Sequence, residues 1–273
     1  MKTIAEAMAC AEALRQEIAR HRKRYYVDND PEIADGEYDA LERKLLEIEA
    51  AFPELATGDS PTLRVGGQPP EDAAPFSHTI PMLSLDNAYS AEELRDWENR
   101  LLKTFGDTPP TYFVEPKVDG LSIAVHYRDG LLVAGATRGD GETGEDVTAN
   151  VRTIRSIPLR LIRRVSHLEA RGEVFFPRSA FEEMTRRRME AGEALFANAR
   201  NAAAGSLRLL DSKITAGRRL DCVFYQLAQY GGVMPGTHSE GLQLLRRLGL
   251  RTNPLNRSGL NLVEVLEYLN DLA

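Results

Sequence analysis

The chain has 273 residues and a net charge of −7, with 42% apolar and 27% charged residues, a balance that fits a soluble globular protein and leaves room for two domains. That charge excludes a surface that is basic throughout, although Arg160, Arg163 and Arg164, or the run Arg186-Arg187-Arg188, can still form a local basic strip; for the second cluster a solvated helix face is the simpler expectation. Cys10 and Cys222 supply neither a disulfide framework nor a zinc ligand set, and Lys2, Glu6 and Glu12 interrupt the stretch a signal peptide would keep apolar, so the expectation is a cytoplasmic protein with no membrane span.

From the N-terminus, Ile4, Met8, Ala11, Leu14, Ile18 and Tyr25 recur at helical spacing. After the turn Asn29-Asp30-Pro31, Tyr38, Leu41, Leu45 and Ile48 do so again, which predicts two antiparallel helices. Between residues 56 and 81 stand Pro61, Pro69, Pro70, Pro75 and Pro81, so regular structure should lapse there and the domain boundary should fall within it, dividing residues 1–70 from 71–273. Ser90 with Glu93 reads as a capping box opening a helix through Leu94, Trp97 and Leu101, and Ser179 with Glu182 reads as another through Met184 and Met189. Residues 122–127 and 131–137, joined by Arg128-Asp129-Gly130, predict a hairpin, and 168–176 and 220–230 predict further strands. The pattern favours an α+β domain of antiparallel sheets with flanking helices, behind a small helical subdomain, over a doubly wound parallel sheet.

The most informative stretch is Glu115-Pro116-Lys117-Val118-Asp119-Gly120, at the end of the apolar run Tyr112–Val114. Lys117 is a candidate covalent nucleophile, provided a partly desolvated, cation-lined pocket keeps its amine neutral. The alternative is a surface lysine paired with Asp119. Further strings follow: Thr137-Arg138-Gly139-Asp140-Gly141-Glu142-Thr143-Gly144-Glu145, then Glu169-Ala170-Arg171-Gly172-Glu173-Val174, then residues 198–208 with Arg200 and Arg208. The glycines at 120, 139, 141 and 144 permit close backbone approach to a phosphate, or serve only as turns.

In order and spacing these strings resemble the adenylation region of bacterial NAD-dependent DNA ligases, a resemblance that covers essentially the whole chain. It implies a nucleotidyltransferase domain after a helical subdomain that binds nicotinamide mononucleotide (NMN). It also implies a DNA ligase activity in which Lys117 attacks the α-phosphate of NAD, releases NMN and carries AMP as a lysyl adenylate, the first step of nick sealing in DNA replication and repair. Magnesium is the implied metal and nicked duplex DNA the implied partner. Arg138 would supply charge to phosphate or ribose, and Glu173 would bind ribose hydroxyl or hold magnesium. The plainer readings pair Arg138 with Asp140 and Glu173 with Arg171. Glu115, set two residues before Lys117 on the same face of a strand, would contact AMP, as would Ser84 and Leu85 in Met82-Leu83-Ser84-Leu85-Asp86-Asn87.

Asp35, Tyr38 and Asp39 share one helix face at i, i+3 and i+4, and Tyr25 can meet it from the preceding helix, with Tyr26 a further contact that the resemblance implies, at a position where some family members carry histidine. Nicotinamide in NAD is a cationic ring, which aromatic faces and carboxylates suit. The plainer reading makes Tyr38 with Leu41 helix-pair core and Asp35 an N-cap. Arg200 and Arg208, eight residues apart in a helix, suit two phosphates of a nicked strand or the leaving nucleotide. Relatives carry an Asp-Gly-Val-Val strand and a lysine-bearing strand beyond the point matching Ala273, followed by zinc, oligonucleotide-binding, helix-hairpin-helix and C-terminal modules. The chain therefore reads as an adenylation segment cut from a longer enzyme or a natural truncated relative. The alternatives are an NAD or NMN binding module without transferase activity, or an ATP-dependent nucleotidyltransferase, which would leave Asp35, Tyr38 and Asp39 unexplained.

Overall fold

The computed structural model describes residues 4–26, 32–55, 74–106 and 108–272. Helix α1 (Ile4–Tyr26) and helix α2 (Asp35–Ala51) pack through Ala7, Ala11, Leu14 and Ile18 of the first against Tyr38, Leu45 and Ile48 of the second. The buried stripe is rotated from the expected one, because Ile4 and Met8 are exposed and two alanines let the helices approach. Arg15 ties the pair together at 2.9 Å from Glu49 and also donates to the Leu55 carbonyl. Ala34, not Asp35, is the N-cap of α2, and the Glu37 carboxylate accepts its N–H at 2.9 Å.

Regular structure does not lapse up to Pro81 as expected. Strand β1 (Pro75–Ser77) pairs with β5 (Thr143–Glu145), while residues 56–73 lie outside the described ones. Helix α3 (Ala91–Phe105) begins at Ser90, whose hydroxyl accepts the Glu93 N–H at 3.1 Å. A four-stranded antiparallel sheet follows, ordered β4 (Leu131–Thr137), β3 (Leu121–Arg128), β6 (His167–Phe175), β7 (Asp221–Tyr230). The β3–β4 turn places Asp129 and Gly130 at φ 51° and 77°, as a tight two-residue hairpin requires. A separate antiparallel pair joins β2 (Tyr112–Val114) to β8 (Arg257–Leu260).

One face of the large sheet carries Ile123, Val125, Tyr127, Leu168, Ala170 and Val174 into the main core. The short helix α4 (Thr148–Val151), α5 (Arg178–Glu190), α6 (Ala199–Leu207) and α8 (His238–Arg247) contribute apolar residues to it, α7 (Ser212–Ala216) packs against α4 and α6, and α9 (Leu262–Leu272) packs against α3 and the β2–β8 pair. The expected box at Ser179 does not form: α5 starts at Arg178 after Pro177, and Glu182 pairs with Arg178 at 2.9 Å. A true capping box stands at Thr237 and Glu240, opening α8. The architecture is α+β, and among the described residues no helix is long and apolar enough to cross a membrane.

Candidate active site

The other face of the sheet is polar because β6 places Glu169, Arg171 and Glu173 there at alternate positions, all buried. Their cross-strand neighbours on β3 are His126, Ala124 and Ser122 respectively. Glu173 receives the Ser122 hydroxyl at 2.6 Å. Arg200, at the start of α6, lies 4.0 Å from Glu173 and 3.1 Å from Asp119. Burial pushes the Glu173 carboxyl above the usual carboxylate range, against the opposing pull of the Ser122 hydrogen bond and of Arg200, Lys117 and Arg138. Three cations converge on one buried acid.

Backbone geometry fixes how they arrive. A Cβ on Gly120 would lie 2.1 Å from the Val174 carbonyl oxygen, so only glycine lets the segment carrying Lys117 cross this close to β6. Arg138 follows β4 directly, its N–H bonded to the Ser122 carbonyl at 3.1 Å. Gly139 turns the chain at φ 57°, where a Cβ would meet the Thr143 carbonyl at 1.8 Å. Asp140 does not serve Arg138 in a simple surface pair: its carboxylate accepts the N–H groups of Glu142 and Thr143. Nor does Glu173 balance Arg171, whose ion-pair partner is Glu169 at 3.2 Å.

Several expectations need correction. Glu115 and Lys117 do not share a strand face, because β2 ends at Val114 and the next five residues belong to no strand. Lys117 is exposed rather than desolvated, so burial is not what this fold supplies to its amine. The alternative reading, a surface lysine paired with Asp119, does not hold, since Asp119 pairs with Arg200 at 3.1 Å. Glu115 faces Asn256 at 3.4 Å and the His238 ring at 3.6 Å. Ser84 and Leu85 are exposed, Leu85 at 78%, on a segment whose base is docked: Arg171 donates to the carbonyls of Ile80 and Pro81, and the Met82 N–H donates to Gly141 at 2.8 Å. Arg208, just past α6, turns inward and donates to buried Glu145 at 2.6 Å.

In the helical unit Tyr38 is core, and its hydroxyl donates to Glu42 at 3.0 Å. Asp39 accepts the Tyr89 hydroxyl at 3.2 Å, and Arg43 lies over the Tyr89 ring at 3.7 Å. Tyr25 and Tyr26 fall in the last turn of α1 and Asp35 opens α2; only their backbones are described. Among the described residues no three His, Cys, Asp or Glu side chains cluster to hold a metal.

Sequence reasoning missed Ser122 and Tyr225. The Tyr225 hydroxyl is pushed up to about 12 by burial first and by Glu173 second, against a hydrogen bond with Ser122, which places it beside the same carboxylate. Only register finds these two, since Ser122 stands opposite Glu173 across the β3–β6 ladder and Tyr225 sits at a β-bulge of the β6–β7 ladder.

Residues 71–273 match the sequence pattern of the NAD-dependent DNA ligase adenylation domain, and residues 4–66 match the DNA ligase-like N-terminal NAD+-binding domain. Among curated proteins, the DNA ligase of Desulforudis audaxviator is 51% identical over 266 residues, covering 97% of this chain and 40% of the relative. The DNA ligase of Desulforamulus reducens is 48% identical over 265 residues with the same coverage, and that of Thermotoga neapolitana is 48% identical over 263 residues, covering 96% and 38%. The chain therefore spans about 40% of the length of these relatives.

Proposed function

This chain belongs to the NAD-dependent DNA ligase family, and from that premise we propose that it performs the adenylation step: Lys117 Nζ attacks the α-phosphate of NAD, forms lysyl-AMP and releases NMN. The observation that carries this reading is the buried carboxylate of Glu173, 4.0 Å from the Arg200 guanidinium and within electrostatic reach of Lys117 and Arg138. Phosphoryl transfer asks a protein mainly for alignment and positive charge around the transferring group. Gly120 fixes the backbone that carries Lys117, while Arg138 and Arg200 supply donors and charge to phosphate oxygens. An exposed amine meets NAD from the solvent side and is desolvated by the substrate itself rather than by the fold.

Magnesium is commonly held by one or two carboxylates together with substrate phosphates, so a lone buried acid fits it better than it fits a metal with a full protein cage. Glu173 is the residue that would hold it or a ribose hydroxyl, and the ion would neutralise phosphate charge. Glu115, Ser84 and Leu85 contact the adenosine. Residues 1–70 form the NMN-binding subdomain through Tyr25, Tyr26, Asp35, Tyr38 and Asp39, with Tyr38 contributing from within the helix-pair core. Residues 71–273 form the adenylation domain. In the complete cytoplasmic enzyme, Arg200 and Arg208 exchange Asp119 and Glu145 for phosphates of nicked duplex DNA, and the product is a sealed strand in replication or repair.

Incubation with NAD and magnesium, or with ATP and magnesium, followed by intact-mass measurement, tests the reading. One adenylate adduct from NAD, lost in Lys117→Ala, is the expected result. No adduct with NMN still binding would leave a binding module, and an adduct from ATP alone would overturn the choice of NAD.

A further inference from the structure

Away from the sheet's polar face, a cavity of about 230 Å3 opens between α5 and α7. Four guanidiniums line it, those of Arg187, Arg188, Arg218 and Arg219, against two carboxylates, Glu183 and Glu193, leaving a surplus of two positive charges. The carboxylates are already committed. Glu183 is shared by Arg187 and Arg219, and Glu193 pairs with Arg188 at 2.8 Å. Arg188 also donates to the Ala194 carbonyl at 2.8 Å and is only 21% exposed, unlike a solvated helix-face arginine.

Arg218 is the unbalanced member. It has no carboxylate within ion-pair distance among the described residues, and its N–H donates at 2.9 Å to the thioether of Met184, a weak acceptor. Arg188 and Arg218 both lie near the Phe196 ring, at 4.8 and 5.9 Å from its centroid, so two like charges converge on one aromatic surface. Burial and the neighbouring Arg188 both push the Arg218 guanidinium below its ordinary value, opposed only by Glu193. Arg219 adds backbone strain: it stands at φ 53°, in the left-handed region that a long side chain rarely occupies. Planar forks held together, partly desolvated and short of acceptors are the arrangement that recognises a tetrahedral oxyanion bidentately.

We propose that the cavity between α5 and α7 is a phosphate-binding site, with Arg218 and Arg188 gripping a phosphate group that belongs either to a nucleic-acid backbone or to a free phosphate. The site is separate from the Lys117 centre and does not depend on the adenylation reading.

Two arms test it with this chain. In the first, inorganic phosphate is titrated against sodium chloride at matched ionic strength while the thermal midpoint is followed. Phosphate should raise the midpoint by roughly 3 °C at ten times its dissociation constant, and Arg218→Gln should abolish the rise while adduct formation from NAD stays unchanged. An unresponsive wild type, or equal rises in wild type and variant, would overturn the site. Should Arg218→Gln fail to fold, Arg188→Gln and the wild-type titration decide the same question. In the second arm, nicked-duplex affinity is measured against salt. A slope of log K on log salt that falls by about 1 in Arg218→Gln identifies a DNA phosphate, and an unchanged slope with phosphate binding intact identifies a free phosphate.

Discussion

The two ends of strand β6 carry the same kinds of side chain into different situations. At one end Glu169 and Arg171 are sealed, 1% and 4% exposed, and pair with each other while Arg171 spends its remaining donors on the Ile80 and Pro81 carbonyls. At the other end Glu173 is nearly as buried but has one short hydrogen bond and three cations at longer range. A buried charge matched by a partner at contact distance is structural, because breaking it strands the other charge. A buried charge surrounded but not matched is poised to take a ligand. The strand's geometry allows both because alternate residues share a face, and Gly172 keeps the intervening position free: a Cβ there would lie 2.8 Å from the Val223 carbonyl oxygen.

Breaking the sealed end should have the largest effect on folding. Arg171→Met leaves Glu169 buried without its partner and frees the Ile80–Pro81 carbonyls, and should cost about 3–5 kcal/mol in denaturant unfolding. Adding Glu169→Leu to it should return much of that loss, since an uncharged pair removes the stranded carboxylate. If Arg171→Met unfolds at the wild-type denaturant concentration, the pair is not what clamps the segment leading to Ser84.

The poised end should respond in the opposite sense. Glu173→Gln keeps an acceptor for Ser122 and removes a charge that burial disfavours, so the fold should be as stable as wild type at neutral pH or slightly more so. Adduct formation from NAD should nonetheless slow by about 100-fold or more, the usual scale for a lost electrostatic contact in such a site. A large stability loss with unchanged adenylation would reverse the roles of the two ends.

Much of this division was legible in the sequence. The motif strings located Lys117, Arg138 and Glu173, and the period-two pattern located the four central strands to within a residue or two. What escaped was non-local. Strands β1, β5 and β8 are three or four residues long and exist only because partners far along the chain supply their ladders, which no local pattern encodes. The Ser179 signal failed because Pro177 caps the helix and Arg178 starts it, two residues earlier than that box would, whereas the true box at Thr237 and Glu240 carried the same signature. The pairing of Arg171 with Glu169 rather than Glu173, and the arrival of Ser122 and Tyr225 beside Glu173, depend on register and on β-bulges.

The smallest effect is the one that separates the two ends by pH. His126 stands opposite Glu169, with His78 and Arg171 also near, and burial holds its ring below the ordinary value of 6.5, helped by those two neighbours and opposed by Glu169. Its folded pKa lies below the unfolded one, so the unfolded chain binds more protons between them and stability is lost as pH falls from 6.5 through the lowered value. Glu173 works the other way: its folded pKa is raised above 4.5, so the native state binds more protons in that window and stability is lost as pH rises through it. Wild-type stability between pH 7 and 4.5 therefore contains two opposed slopes from one sheet face. Glu173→Gln should steepen the loss on acidification, and His126→Gln should flatten or invert it, each read as the change in denaturant midpoint between the two pH values. Identical pH profiles for the two variants would mean that the two ends of β6 share one electrostatic environment, and the distinction between a matched and a poised carboxylate would fall with it.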